Sequence, residues 1–202
     1  MAVALLIIGQ PSVPKRLRFI MRADRGFTLT ELLMTVAILG TILVIAVPVL
    51  GDFADSQRLG QSTRELEREM QTARMKAVAT NRTMRVLTNC PEPGRFRMVE
   101  TIGNANDTRA DRCATTAFPF PAPDTDPMTR PNHDGPVRYL QRGVAVPTDG
   151  FEFRPDGTVR RIEMTTRTAV LMGAPVNLTL TKGTTSKTIS VNNMGKVRVE
   201  AQ

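Results

Sequence analysis

Few side chains in this 202-residue chain are of the types that do covalent or metal chemistry. The only histidine is His133, so a Ser-His-Asp triad or a multi-histidine metal site would have to be built entirely around it, which argues against hydrolytic and zinc chemistry. Two cysteines, Cys90 and Cys113, are too far apart for a CxxC redox motif and too few for structural zinc. In a domain outside the cytoplasm they read as one disulfide, worth roughly 3 kcal/mol by the chain-entropy argument; two buried thiols are the alternative. Asp124, Asp126 and Asp134 offer carboxylate oxygens of the kind calcium takes, but their spacing fits no EF-hand loop and prolines separate them, so a plain acidic loop is expected. No metal, cofactor or convergent catalytic set is expected, and the chain is read as a non-enzyme. Lys196 and Arg198 alternate with Val197 and Val199, which puts both cations on one face of a strand. They are candidates for contact with DNA phosphates; the alternative is a solvated edge strand protected by its charge.

One further charge stands out by position. From Leu32 to Gly51 the chain has 20 residues without a charged side chain, about what a helix needs to cross a bilayer. Glu31 stands at the edge of that run, where a carboxylate costs up to a few kcal/mol and normally signals function; a glutamate reaching to the headgroups is the alternative. Lys15, Arg16, Arg18, Arg22 and Arg25 precede the run, and half of the net charge of +8 falls in the first 26 positions. Positive charge concentrates on the cytoplasmic side, so a single-pass membrane protein is expected, with its C-terminal domain facing outwards. The apolar stretch Met1 to Ile8 precedes the basic residues, the reverse of a secretory leader's order, and a start at Met21 would leave a short basic leader.

The segment Arg25-Gly26-Phe27-Thr28-Leu29-Thr30-Glu31-Leu32-Leu33 resembles the prepilin signal of type IV pilins and type II secretion pseudopilins. The resemblance implies that a prepilin peptidase cuts between Gly26 and Phe27 and methylates the new amine of Phe27. It also implies that Glu31 pairs with the terminal amine of a neighbouring subunit during filament assembly. Such a pair serves register better than stability, because desolvation consumes most of its Coulomb gain.

The elements that must carry these residues follow from periodicity. Leu59, Leu66, Met70, Ala73 and Ala77 recur at helical spacing with Arg64, Glu65, Arg68 and Arg74 between them, an amphipathic helix with one buried stripe. The simplest arrangement is one helix from about Thr28 to Ala79, bent or locally melted at Pro48. With 4% aromatic residues, no Trp and one Tyr, the core must be mostly aliphatic. After Asn81 short alternating runs predict strands at 83–87, 95–99, 137–140, 151–153, 158–164, 176–181, 187–191 and 196–199, with a turn at 154–158. The polar, proline-rich stretch 104–136 predicts a long surface loop tied down by Cys113. The fold expected is α+β: a long N-terminal helix, transmembrane in its first half, packed on an antiparallel sheet domain. Its parts are a leader 1–26, a membrane or filament-core helix 27–51, an amphipathic helix 52–80 and a β-rich domain 81–202.

Phe151-Glu152-Phe153-Arg154-Pro155-Asp156-Gly157-Thr158 and the closing Gly195-Lys196-Val197-Arg198-Val199 resemble the H-type minor pseudopilins of type II secretion, and related pilin-like proteins assist type IV pilus assembly and DNA uptake. The implied function is that of a minor pseudopilin acting in secretion by filament assembly, with a pilus minor pilin, DNA-binding in transformation, as the alternative. The implied partners are other pilins or pseudopilins, the prepilin peptidase, the inner membrane and, in the alternative, DNA.

Overall fold

The computed structural model describes residues 26–200, apart from the side chain of Pro48; the expected leader up to Arg25 and the alternative start at Met21 lie outside them. Helix α1 spans Leu29–Thr80, followed by β1 (Thr83–Thr88), β2 (Arg95–Thr101), a 3₁₀ turn (Ala105–Thr108), β3 (Val137–Tyr139), β4 (Gly150–Phe153), β5 (Val159–Glu163), β6 (Thr168–Leu171), β7 (Val176–Lys182), β8 (Thr185–Val191) and β9 (Val197–Glu200). The chain divides into two units, one ending at Ile45 and one beginning at Ala46. The first holds the beginning of α1. The second holds its remainder and all strands.

Local melting at Pro48 does not occur, since α1 is helical on both sides of that residue. A proline removes one hydrogen bond from the ladder, and the helix continues past that loss.

In the second unit the predicted stripe is the centre of the core. Leu59, Leu66, Met70, Ala73 and Ala77 are all buried, and they pack with Met84 and Val86 of β1, Phe96 and Met98 of β2, Phe151 and Phe153 of β4, and Leu178, Leu180, Ile189 and Val191 of β7 and β8. Each large apolar side chain buried there contributes about 1.5–3 kcal/mol before entropy is charged against it. Two antiparallel sheets supply the covering layer: a six-stranded sheet in the order β3-β2-β1-β4-β5-β6 and a three-stranded sheet in the order β7-β8-β9. The turn between β4 and β5 forms as expected. Gly157 has φ +82°, and the Asp156 carboxylate accepts from the Thr158 amide at 2.8 Å and from its hydroxyl at 2.6 Å.

Strand β6 has no counterpart among the predicted strands, because its first residues continue a run of threonines and an arginine that reads as loop. It pairs with β5 through Ile162 opposite Ala169 and Arg161 opposite Val170.

The stretch 104–136 is more than a surface loop. The outward residues of β1 and β2 include Leu87 and Val99, which pack with Cys113 and Ile162 in a second apolar cluster. The Cys90–Cys113 disulfide forms, with an S–S distance of 2.01 Å, and fixes the stretch to the end of β1. Arg97, fully buried on β2, donates to the carbonyls of Gly135 at 2.8 Å, Cys113 at 3.0 Å and Phe118 at 2.8 Å. Its pKa is lowered, first by burial and then by the nearby Arg112, with Asp134 acting in the opposite direction. Arg112 grips Asp134 through two bonds of 2.5 and 2.6 Å and lies 4.3 Å over the Phe118 ring. Asp134 is therefore not part of a calcium site: it accepts from Arg112 and from the Glu100 amide at 2.8 Å. Asp124 and Asp126 are exposed elsewhere in the loop, and no group of acidic, histidine or cysteine residues able to hold a metal ion occurs among the described residues.

Two expectations arise from these burials. Asp134→Asn leaves buried guanidinium charge without its carboxylate and is expected to cost about 3–5 kcal/mol, measured by denaturant unfolding, whereas exposed Asp124→Asn should stay within about 0.5 kcal/mol. Glu69 on α1 is 6% exposed, and its pKa is raised by burial and by Glu65, against the pull of Arg138 and Lys76. A carboxyl whose folded pKa exceeds its unfolded value makes the native state bind more protons, so stability falls as pH rises from the ordinary glutamate range through the raised value. Thermal unfolding against pH should show that decline in the wild type and a flatter profile in Glu69→Gln.

Candidate assembly interface

The chemistry-bearing end of the first unit is built on the start of α1. Gly26 and Phe27 precede the helix in non-helical backbone, and both are exposed. Thr28 caps the helix: its hydroxyl accepts from the Glu31 amide at 3.2 Å and its carbonyl from the Leu32 amide at 3.1 Å. Threonine serves here because its short oxygen satisfies an amide that lacks an intrahelical partner. Glu31 thus falls in the first turn, where its negative charge opposes the positive end of the helix dipole.

Beyond Glu31 the surface is apolar all round. Phe27 is 78% and Leu29 76% exposed, and Leu32, Leu33, Met34, Val36, Ile38, Leu39, Ile42 and Leu43 are exposed as well. The helix meets the length and hydropathy required of a membrane span, and none of its most apolar window is buried within the protein. Exposure of that size is not left to water; it marks a surface covered by lipid or by other protein. The hydroxyls within it are satisfied locally, Thr35 donating to the Leu32 carbonyl at 2.8 Å and Thr41 to that of Ile38 at 2.7 Å. No polar side chain in the run except Glu31 therefore asks for an outside partner, since apolar surroundings require backbone and hydroxyl groups to be paired internally.

The second candidate pair lies at the other end of the chain. Lys196 precedes β9 and Arg198 lies within it, both exposed, while Val197 and Val199 turn inward against the core. Strand β9 is an edge, paired only with β8, with Arg198 opposite Ser190. The turn before it is held to α1 by Arg74, which donates to the Met194 carbonyl at 3.3 Å. Gly195 there has φ +74°, and a Cβ on it would stand 2.7 Å from Arg74 Nε and 2.9 Å from the Gly157 carbonyl oxygen. His133 serves the backbone: its carbonyl accepts from Lys76 Nζ at 2.8 Å and its amide donates to Glu100 at 2.9 Å.

Sequence reasoning missed the arginines that hold the loop. Arg85 and Arg97 occupy positions in β1 and β2 that alternation assigns to solvent. The signal was the apolar residue at the next position of the same parity in each strand, Leu87 and Val99, which shows that this face is covered too.

Residues 21–47 match the model of the prokaryotic N-terminal methylation motif, and residues 62–195 match that of type II transport protein GspH. No curated protein matches the chain. Two crystal structures of the type IV minor pilin FimU of Pseudomonas aeruginosa align with this chain at 11% and 12% identity, with TM-scores of 0.41 and 0.43. The alignments cover 71% and 74% of this chain and 93% and 92% of those chains. The family match spans more than half of the sequence and takes in the last 19 residues of α1 and strands β1 to β8, so the chain belongs to the family of type II transport protein GspH and carries a prokaryotic N-terminal methylation motif ahead of it.

Proposed function

We propose that this chain is a minor pseudopilin of a type II secretion filament, anchored in the inner membrane by α1 before assembly, with its sheet domain in the periplasm and no catalytic activity of its own. The observation that carries this reading is the exposed apolar surface from Phe27 to Leu50 with the single carboxylate of Glu31 at its beginning. A prepilin peptidase cuts between Gly26 and Phe27 and methylates the Phe27 amine. The exposed, non-helical backbone at Gly26 suits entry into a peptidase site, and glycine offers no side chain to obstruct it. Glu31 then meets the amine of a neighbouring subunit, an ion pair that sets stagger between parallel helices better than it adds stability. Amino-terminal sequencing of protein recovered from membranes should begin at methylated Phe27. Glu31→Ala should still be cleaved yet be lost from filaments at least tenfold; normal incorporation overturns the pairing.

A second reading, a type IV pilus minor pilin that binds DNA, is favoured by the exposed cations Lys196 and Arg198 on the free edge β9. Duplex DNA binding that weakens with salt and is lost in the Lys196→Ala/Arg198→Ala double variant would support it, and absence of binding at low salt would reject it. Deletion of the gene separates the two systems: impaired exoprotein release indicates secretion, impaired twitching or transformation the pilus.

A further inference from the structure

Strand β3 is an edge of the larger sheet, paired on one side only, with β2. The Leu140 amide donates to the Gly94 carbonyl at 2.8 Å, so the 94/140 pair is hydrogen-bonded, and alternation turns the main chain of Arg138 toward Phe96. The main-chain groups of Val137 and Tyr139 then point to the open side. Side chains alternate as well: Arg138 projects over the face that α1 covers and Tyr139 over the opposite one.

A groove adjoins the strand on each side. Toward α1, a groove of about 500 Å³ is lined by Arg64, Glu65, Arg68 and Glu69 of the helix and by Arg138. Arg64 and Arg68 are exposed one turn apart, where like charges repel, and neither forms an ion pair among the described residues. Arg138 lies 3.6 Å from Glu69, whose pKa is raised by burial, so that this carboxylate loses its charge more readily than an ordinary glutamate. The other groove, of about 460 Å³, has apolar walls at Pro93, Tyr139, Leu140 and Val144 and takes in Arg95 and Arg142. Gln141 lines both, so the grooves meet at the end of β3. Five arginines thus flank the edge against three glutamates, Glu65, Glu69 and Glu92, the last bound to Arg95 at 2.8 Å. Charge on a short edge strand normally guards it against a further strand. This guard is one-sided: it repels a second copy of the same basic edge and attracts an acidic segment.

We propose that β3 receives, as an added antiparallel strand, an extended segment of another protein in which acidic and apolar residues alternate. Its main chain pairs with Val137 and Tyr139, its acidic side chains meet Arg64, Arg68 and Arg138, and its apolar side chains lie over Tyr139 and the second groove. Antiparallel addition continues the sheet, in which every neighbouring pair is antiparallel, and pockets for alternate side chains give such additions their specificity. Every residue of this surface belongs to the second unit, so the proposal does not rest on assembly through the apolar start of α1.

The probe is a short capped peptide of alternating glutamate and valine, fluorescently labelled, titrated into the full chain in non-ionic detergent and followed by anisotropy. Saturable binding is expected, weakened about tenfold or more in the Arg64→Ala/Arg68→Ala variant, which changes only exposed positions. In an antiparallel addition the residues opposite Val137 and Tyr139 share their face and point their amides at β3. N-methylation of the valines should therefore abolish binding, while N-methylation of the glutamates leaves it unchanged. Any other pattern of N-methyl effects overturns the proposal, as do equal binding of a peptide of alternating lysine and valine, unchanged binding by the double variant, or no binding at all. Disulfide cross-linking of Tyr139→Cys between two copies without peptide overturns it too: Cys90 and Cys113 are already bonded to each other, and the edge would then be filled by this chain itself.

Discussion

The second unit depends on one stripe of α1. Leu59, Leu66, Met70, Ala73 and Ala77 lie at spacings that keep them on a single side of the helix, and they are the surface onto which two sheets close. Alanine at the last two positions leaves room for a β-strand to approach the helix, while Leu59, Leu66 and Met70 supply the bulk of the stripe's apolar volume. Because the apolar stripe is narrow, Arg64, Arg68 and Arg74 stay in water, and the sheets can cover only one face of the helix. The first unit has no such restriction: its apolar residues surround the helix and are exposed.

A second constraint comes from the opposite side of the larger sheet. The stretch 104–136 contributes few apolar side chains and cannot hold itself down by hydrophobic burial alone. Its backbone carbonyls are gathered instead by strand-borne guanidinium groups, Arg97 taking three and Arg85 reaching that of Asp107. Arginine suits the task because its planar fork presents several donors at once and remains charged when desolvated. Lysine would offer its three donors from one nitrogen, too compact to span carbonyls set this far apart. The disulfide supplies what the hydrogen bonds do not, a covalent limit on how far the loop can open while the arginines are unpaired.

Much of this architecture is legible in the order of residues alone. The helix, eight of the nine strands and the sheet-facing stripe follow from 3.6- and two-residue periods, which are properties of neighbouring residues. The Gly26–Glu31 junction is equally legible, because a carboxylate beside an uncharged 20-residue run is conspicuous in sequence. Pairings between distant residues are not. Asp134 looks like one of three loop acids, and only the fold brings it to Arg112, 22 positions away. Likewise β6 is a strand because β5 offers it a ladder, not because Thr168–Leu171 has a strong pattern of its own. Polar partnerships of this kind depend on topology, so no local rule finds them.

The distribution of charge separates the two halves of the molecule. In the sheet domain the buried carboxylates find cations within the chain: Glu152 meets Arg85, Asp149 meets Arg161 and Asp134 meets Arg112, all within 2.8 Å. Such pairs close the domain on itself and leave it little electrostatic reason to seek a partner at those points. Glu31 is the converse case. It is the only ionisable side chain between Leu29 and Gly51, and among the described residues it forms no ion pair. Hydrophobic contact between smooth apolar helices is almost indifferent to sliding, because one turn of aliphatic residues resembles the next. In the pairing we propose, a lone carboxylate would remove that indifference, since only one stagger would bring a neighbour's amine to it, and a surface that could otherwise join its neighbours in many registers would be given one.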